Sequence, residues 1–327
     1  MSLRGALPIA VAVVLLPWRW AHATEPGGIP QQTKAGVFAG ASAGVPAPGL
    51  YMFNQVFTVQ ANVTGPITNS IGKTTPVQGS FDVQGLLFVP GWTFLGATYD
   101  AVIAQPVSTA SIGAPVNVGL TGFHNTYFAP VELSWKLGDS GFFVKSGLAV
   151  FAPDGSISGP TGNSGPGSPF WTFQPEVIVS YLKDGWNLSA AIYEEFNTAN
   201  SITGYRTGDI LHADLTATKT FGKWTVGPIA YYEGQVSNDR SSAFYNYALG
   251  TQRFTLLAAG GLVAYDFGPV SVAVWATEEF LAKASGATVI GGVDSSSIPK
   301  GATVLATLSY RLWAPDDDAP ARPGIHK

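Results

Sequence analysis

The chain has no cysteine among its 327 residues, which excludes disulfides and thiolate metal sites. Charged residues make up only 12%, against the ~25% usual for soluble domains. Nor is there a run of about 18 apolar residues, the length a membrane-crossing helix needs. Basic residues number 17 against 21 acidic, so the basic surface that nucleic-acid binding requires is missing. There are four histidines, which leaves few candidates for a catalytic base. Glycine (39 residues) and aromatic side chains (12%) are plentiful. That balance suits a β-rich chain with one face in lipid, and equally a β-rich secreted chain.

Residues 1–23 have the layout of a secretory signal peptide. Arg4 supplies the positive end, residues 6–16 an apolar stretch, and Ala21-His22-Ala23 a small-x-small cleavage site. Arg19, between Trp18 and Trp20, is unusual so near a cleavage site. An anchor helix is the alternative, but the apolar stretch is too short to span and stops at Pro17. Cleavage removes Arg4 and Arg19 and leaves 15 basic against 21 acidic residues. Residues 24–49, rich in Gly, Ala and Pro, are expected to form an extended lead-in. Within them Gly40-Ala41-Ser42-Ala43-Gly44 matches the nucleophile-elbow pattern, without the flanking strand and helix that give that pattern meaning.

From residue 50 to 313 the apolar residues recur with a period of two, which predicts strands whose two faces meet different surroundings. In residues 171–181, Trp171, Phe173, Val177, Val179 and Tyr181 oppose Thr172, Gln174, Glu176 and Ser180. Near the start, Tyr51, Phe53, Phe57, Val59, Ala61 and Val63 oppose Asn54, Thr58, Gln60 and Asn62. Phe81, Val83 and Leu87 oppose Gln78, Ser80, Asp82 and Gln84. Tyr127, Ala129, Val131 and Trp135 oppose Glu132 and Ser134, and Phe254, Leu256, Ala258 and Leu262 share a face.

Twelve such strands are expected, and their connections alternate strictly between short and long. The short ones are Pro90-Gly91, Gly138-Asp139-Ser140, residues 182–185, Phe221-Gly222-Lys223 and Phe267-Gly268-Pro269. The long ones include residues 106–125, 152–169 and 280–299. This order predicts an all-β, transmembrane antiparallel β-barrel of about 12 strands, with short periplasmic turns and long extracellular loops. The barrel domain spans residues 50–313, and residues 314–327 form a disordered periplasmic tail. The implied location is the outer membrane of a Gram-negative bacterium, surrounded by outer-membrane lipids.

Aromatics crowd the short-turn end: Trp135, Tyr181, Trp186, Phe221, Trp224 and Phe267, as in an interfacial girdle. Ionisable groups occupy the opposite face in mid-strand. Asp82, Asp100, Glu132, Lys145, Glu176, His212, Asp214, Glu233 and Arg311 are therefore the candidate lumen-lining residues. Such groups would either brace the barrel across its lumen or line a solute path. Phe128, Ile178, Tyr193 and Tyr231 on that face would favour an apolar or aromatic solute. His212 and Asp214 have a spacing that a metal or acid–base pair could use, though a lumen hydrogen-bond network accounts for them better. Asp316-Asp317-Asp318 reads as a solvated tail. Gly138-Asp139-Ser140-Gly141 reads as a hairpin turn. With only His124 and His212 in the barrel and no triad pattern around them, catalytic, cofactor-binding and metal residues are not expected.

Several stretches resemble the outer-membrane transporter-like family associated with the meta-pathway of phenol degradation. They are residues 48–55 (Pro48 to Gln55), 92–99, 170–176, 184–189, 221–227 (Phe-Gly-Lys-Trp-Thr-Val-Gly) and Tyr265-Asp266-Phe267-Gly268. The resemblance covers roughly residues 49–313 and implies a β-barrel for uptake of aromatic or other hydrophobic compounds. One feature departs from barrels of this kind: residues follow Trp313, whereas the barrel-assembly machinery generally reads a terminal aromatic. An internal signal at residues 305–313 is expected instead. The function expected is passive uptake of a small hydrophobic or aromatic solute. The alternatives are an outer-membrane enzyme such as a lipid hydrolase, or a structural or adhesion barrel without transport. A plugged lumen without permeability to any small solute would count against the channel.

Overall fold

In the computed structural model, residues 25–26, 31–114 and 117–315 are described. The proposed signal peptide and the tail after residue 315, with Asp316–Asp318, lie outside them. Twelve long strands form the wall. They are β1 (Gly49–Thr64), β2 (Thr75–Val89), β3 (Ala97–Ile112), β4 (Thr126–Lys136), β5 (Phe142–Ala152) and β6 (Thr172–Lys183) in the first half. The second half holds β7 (Trp186–Asn197), β8 (Ile210–Phe221), β9 (Trp224–Gln235), β10 (Arg253–Asp266), β11 (Val270–Ser285) and β12 (Ile298–Trp313). Each pairs antiparallel with its sequence neighbours, and β1 pairs with β12 from Leu50↔Trp313 to Thr64↔Ile298. Closure leaves no open edge, so a wall in lipid has its backbone groups paired.

The short connections are turns at one end. The first is longer than Pro90-Gly91: Thr93–Phe94 folds back on Ala97–Thr98 around Leu95 and Gly96, both at positive φ. Two of the expected loops carry further strand, and Pro66–Ile71 of another form a short helix. Strand β3 runs on to Ile112 and returns as Val118–Phe123, and β11 runs on to Ser285. Outside the wall, apolar side chains form a belt, with Phe173, Val177, Val179, Leu188, Ile192, Leu215 and Val304 all at least 40% exposed. Trp186, Phe221, Trp224 and Phe267 ring its short-turn end.

Four strands present their faces differently from the sequence pattern. Odd-numbered residues of β1 and β2 point inward: Phe57, Ala61 and Val63 are buried, while Thr58, Gln60 and Asn62 are exposed outside. Asp82, expected in the lumen, is on this outer face, where its carboxylate accepts a hydrogen bond from Asn54 Nδ2. Strand β10 turns Phe254, Leu256, Ala258 and Leu262 inward and leaves Val263 outside. In β4 a bulge between Phe128 and Val131, at Pro130, switches parity along the strand. Tyr127 and Ala129 therefore face the lumen above it, and Glu132 and Ser134 below it. Phe128, expected inside, pairs with outward-facing Ile103 and is on the outer face.

The lead-in is not extended. It enters among the long loops, where buried Glu25 accepts hydrogen bonds from Asn200 Nδ2 and the Tyr245 hydroxyl, each at 2.7 Å. It leaves at the short-turn end, where Gly49 begins β1. From Gln31 onward the chain lies inside the barrel, with a run of turns in which Val37 N–H donates to Lys34 O, Ala39 to Gly36 O and Ala41 to Phe38 O. The core of the molecule sits in three clusters, each built on one small residue of this plug. Ala35 packs with Ile210, Tyr231 and Phe254, Ala39 with Ile229, Leu262 and Trp275, and Ala43 with Ile178 and Ala191.

Candidate functional site

The plug works because its sequence repeats every four residues: Ala35-Gly36, Ala39-Gly40, Ala43-Gly44. Each alanine fills the narrow space against the wall, and each following glycine permits close approach. Gly36 has φ +87°, and a Cβ there would lie 2.7 Å from the Tyr231 ring. A side chain is thus excluded both by backbone conformation and by contact.

A chain of turns leaves backbone N–H groups without regular partners, and each must be satisfied when buried. The wall supplies acceptors. Glu195 takes the N–H of Gln32 at 2.9 Å and of Thr33 at 2.7 Å. Asp214 takes Gly36 at 2.9 Å and Phe38 at 3.0 Å. Thr216 Oγ1 takes Gly40, and Ser180 Oγ takes Ala43, each at 2.8 Å. Lys34 of the plug reaches the Tyr231 hydroxyl at 3.1 Å and Glu279 at 3.5 Å. These acceptors all lie on β6–β11, so most of the hydrogen bonds that hold the plug come from that half of the lumen wall.

The candidate lumen residues therefore fall into separate groups. His212, Asp214 and Glu233 are buried on the side that holds the plug, His212 Nε2 lying 3.4 Å from Glu195 Oε1 and its ring stacking on Tyr193 at 4.5 Å. Asp100, Glu132, Lys145 and Glu176 form a second group on β3–β6. Lys145 Nζ lies 3.0 Å from Asp100 and 3.3 Å from Glu132, all three buried. Arg311, opposite Tyr51, lies at the short-turn mouth and is exposed. Ile178, Tyr193 and Tyr231 are buried inside. Sequence reasoning passes over Lys34 and Glu279. The first lies in the lead-in, and the second beyond the bulge that shifts register between β10 and β11.

The other half of the wall, β1–β5, faces the plug across a chamber of about 400 Å³. Phe57 and Phe81 stack in it, centroids 4.4 Å apart and rings within 7° of parallel. Phe53, Val83, Leu87, Tyr127 and Phe151 extend the apolar lining, and Val37 and Phe38 close it from the plug. Lys145 and Glu132, with Gln55 and Thr307, are polar points on the wall side of a mostly apolar surface. The inward turn of β1 and β2 is thus what makes this half apolar. A chamber of this size and lining accepts a small hydrophobic molecule and offers aromatic faces for stacking.

At its long-loop end the chamber meets His124, whose Nε2 is 2.8 Å from Ser108 Oγ. The spacing suits a nucleophile and base. However, burial pulls the imidazole down to about 4, too low for a general base near neutral pH. No carboxylate among the described residues makes a hydrogen bond or ion pair to orient it. Ser42, in the nucleophile-elbow match, lies in the plug and accepts the Gly44 N–H at 3.3 Å. Among the described residues no group of three or more His, Asp or Glu side chains is placed to hold a metal ion.

A closed twelve-stranded wall, an apolar belt outside and a lined lumen inside define a transmembrane β-barrel of the outer-membrane class. Within that class the chain belongs to the family described as "Putative MetA-pathway of phenol degradation", which matches residues 54–283. No curated protein matches the sequence. The fold is similar to that of the COG4313 outer membrane channel from Pseudomonas putida F1. The TM-score is 0.65 at 9% identity, covering 85% of this chain and 99% of that one. The translocator domain of autotransporter NalP from Neisseria meningitidis aligns with TM-score 0.47 at 12% identity, covering 81% and 89%. A Pseudomonas aeruginosa FadL homologue aligns with TM-score 0.42 at 11% identity, covering 87% and 99%.

Proposed function

We propose that the protein is a passive channel admitting small hydrophobic or aromatic molecules across the outer membrane of a Gram-negative bacterium. The observation that carries this reading is the apolar, aromatic-lined chamber running beside the plug. Strands β6–β11 supply most of the plug's hydrogen bonds and pack on its alanines, so a solute travels along the other half, past Phe81, Phe57 and Phe53. Moving over apolar surface, an aromatic solute keeps its favourable desolvation, whereas a sugar would lose hydrogen bonds to water without replacement. The similar barrel from Pseudomonas putida is an outer membrane channel, which supports the same direction.

The Asp100–Lys145–Glu132 group combines both roles expected of lumen charges. Its contacts brace β3, β4 and β5, and its edge lines the solute path. The catalytic reading rests on Ser108 and His124 alone, and a serine-directed fluorophosphonate probe tests it, since labelling lost in Ser108→Ala would establish a nucleophile. Residues 305–313 act as the assembly signal, so deleting residues 314–327 leaves folding by the barrel-assembly machinery intact.

Transport is tested with the refolded full chain in liposomes. Uptake of a monoaromatic solute above protein-free vesicles, with little swelling by sugars, is the expected result. Absence of any solute flux, from wild type and from a variant with a loosened plug alike, would overturn the channel reading and favour a structural barrel.

A further inference from the structure

We propose that the cleft between the loops following β7 and β9 binds a phosphate oxyanion, carried by the glycolipid of the outer leaflet. The proposal is independent of which solute crosses the lumen. The cleft has a volume of about 350 Å³ and is lined by Arg206, Arg240 and Arg253 together with Asp209, Asp239, Ser237 and Asn238. Seven arginines occur in the whole chain, so converging three of them at one point is a concentrated use of scarce charge.

Two of the three are held side by side. Arg206 N–H donates to Arg240 O at 3.0 Å, and Arg240 N–H donates to Arg206 O at 2.8 Å. A pair that exchanges both hydrogen bonds projects its side chains to the same face, where like charges repel. Two carboxylates, Asp209 and Asp239, face the three guanidinium groups, and neither pairs with Arg240 or Arg253. Asp209 accepts from Arg206 Nη2 at 3.0 Å and also from Ser237 Oγ at 2.8 Å. Asp239 is buried and occupied by the Tyr205 hydroxyl, the Gly208 N–H and Gln235 Nε2. Arg253 donates through Nε to Asn238 Oδ1 at 2.8 Å, which is neutral. Among the described residues neither Arg240 nor Arg253 has a carboxylate within ion-pair distance. A phosphate between these guanidinium groups would remove the repulsion and match their planar donor geometry.

The place of the cleft indicates the source of the phosphate. On β10, Phe254 and Leu256 face inward, so Arg253 faces outward, and on β8 inward-facing Ile210 puts Asp209 outward. The cleft is thus on the outside of the wall at the long-loop end, above outward-facing Leu211 and Leu257. That is the level of headgroups in the outer leaflet and away from the mouth of the lumen.

The test uses the folded full chain in detergent micelles, with binding followed by native mass spectrometry and by titration. The probes are bis-phosphorylated lipid A, the same lipid without phosphates, and inorganic phosphate. Saturable binding of the phosphorylated lipid is expected, at least tenfold weaker for the dephosphorylated one. Arg240→Gln/Arg253→Gln should weaken binding at least tenfold, while Lys223→Gln in a short turn leaves it unchanged. If inorganic phosphate binds with the same arginine dependence and the lipid adds no affinity, the oxyanion site stands with free phosphate as its source. Equal binding of both lipids, or equal binding by the double variant, would overturn the site. Should the double variant fail to show the heat-modifiable band of a folded barrel, Arg240→Gln alone, which removes no side-chain partner, serves in its place.

Discussion

Asp214 on β8 accepts the backbone N–H of Gly36 through one carboxylate oxygen at 2.9 Å and that of Phe38 through the other at 3.0 Å. One side chain therefore fixes two successive turns of the plug, while the strand that carries it belongs to the wall. Asp214→Ala leaves both N–H groups buried without an acceptor, at a cost of about 1–3 kcal/mol each. The wall should survive, because its ladder does not depend on the plug, so the heat-modifiable band on gels stays. The plug should loosen, giving larger and noisier single-channel conductance and faster amide exchange at residues 33–43. Unchanged conductance and exchange would show that the other tethers suffice.

Gly36→Ala tests the plug by sterics in place of hydrogen bonding. The new Cβ meets the Tyr231 ring at 2.7 Å, at a residue with φ +87°. Left-handed backbone alone costs a non-glycine residue about 1–2 kcal/mol. The variant should reproduce the conductance of Asp214→Ala, and Gly36→Ala/Tyr231→Ala should restore part of the wild-type behaviour. Full wild-type conductance in Gly36→Ala would mean that the turns move freely.

How far the sequence reveals this arrangement differs between the two halves of the barrel. The period of two and the alternation of short and long connections suffice for strand number, closure and the ends of the barrel. Alternation separates two faces but does not say which is inside, and only the placement of charges offers an outward sense. That rule holds for β6–β8, where Glu176, His212 and Asp214 are buried inside and Asp214 serves a plug that needs acceptors. It fails for β1 and β2, where Phe57 and Phe81 line an apolar chamber and Asp82 goes outside. Pro130, in mid-strand, is a readable sign of the β4 bulge. The Ala-Gly repeat at residues 35–44 is readable too, but its period of four matches neither strand nor helix, so the lead-in looks featureless in the sequence.

The outward placement of Asn54 and Asp82 has its own consequence. They face lipid among Val56, Leu86 and Leu308, and Asn54 Nδ2 donates to the Asp82 carboxylate. Asn54→Leu removes the donor and strands a carboxyl group in an apolar surround, so stability in lipid should fall by about 1–3 kcal/mol. Asn54→Leu/Asp82→Leu removes the need as well and should return stability to wild type or above it. Unfolding midpoints in urea with lipid vesicles measure this. A double variant less stable than Asn54→Leu would show that a polar partner normally covers this face.

Acid should act through His124. Burial lowers its pKa from 6.5 to about 4, so the folded protein keeps it neutral while the unfolded chain takes up a proton. Its contribution is complete above pH 6.5, declines as pH falls below that, and is lost by the time pH passes 4. Wild type should therefore lose unfolding free energy over this window, and His124→Gln, which keeps a hydrogen-bonding partner for Ser108, should lose less. Parallel pH profiles for the two proteins would place the acid sensitivity elsewhere.

The chamber makes the most direct demand on function. Phe57 and Phe81 stack at 4.4 Å on adjacent strands, and a solute passing the plug slides over one of these rings. Such aromatic contacts contribute about 0.5–1.5 kcal/mol beyond area burial. Phe57→Ala should therefore reduce affinity for a monoaromatic solute by roughly twofold to tenfold, on the rule that about 1.4 kcal/mol is tenfold. Phe57→Leu keeps the apolar lining and loses only the stacking, so it should weaken aromatic solutes more than aliphatic ones of equal size. Competition between the two classes in proteoliposome uptake reads this ratio directly. Equal loss for both classes would leave the chamber a general apolar path without preference for aromatic rings.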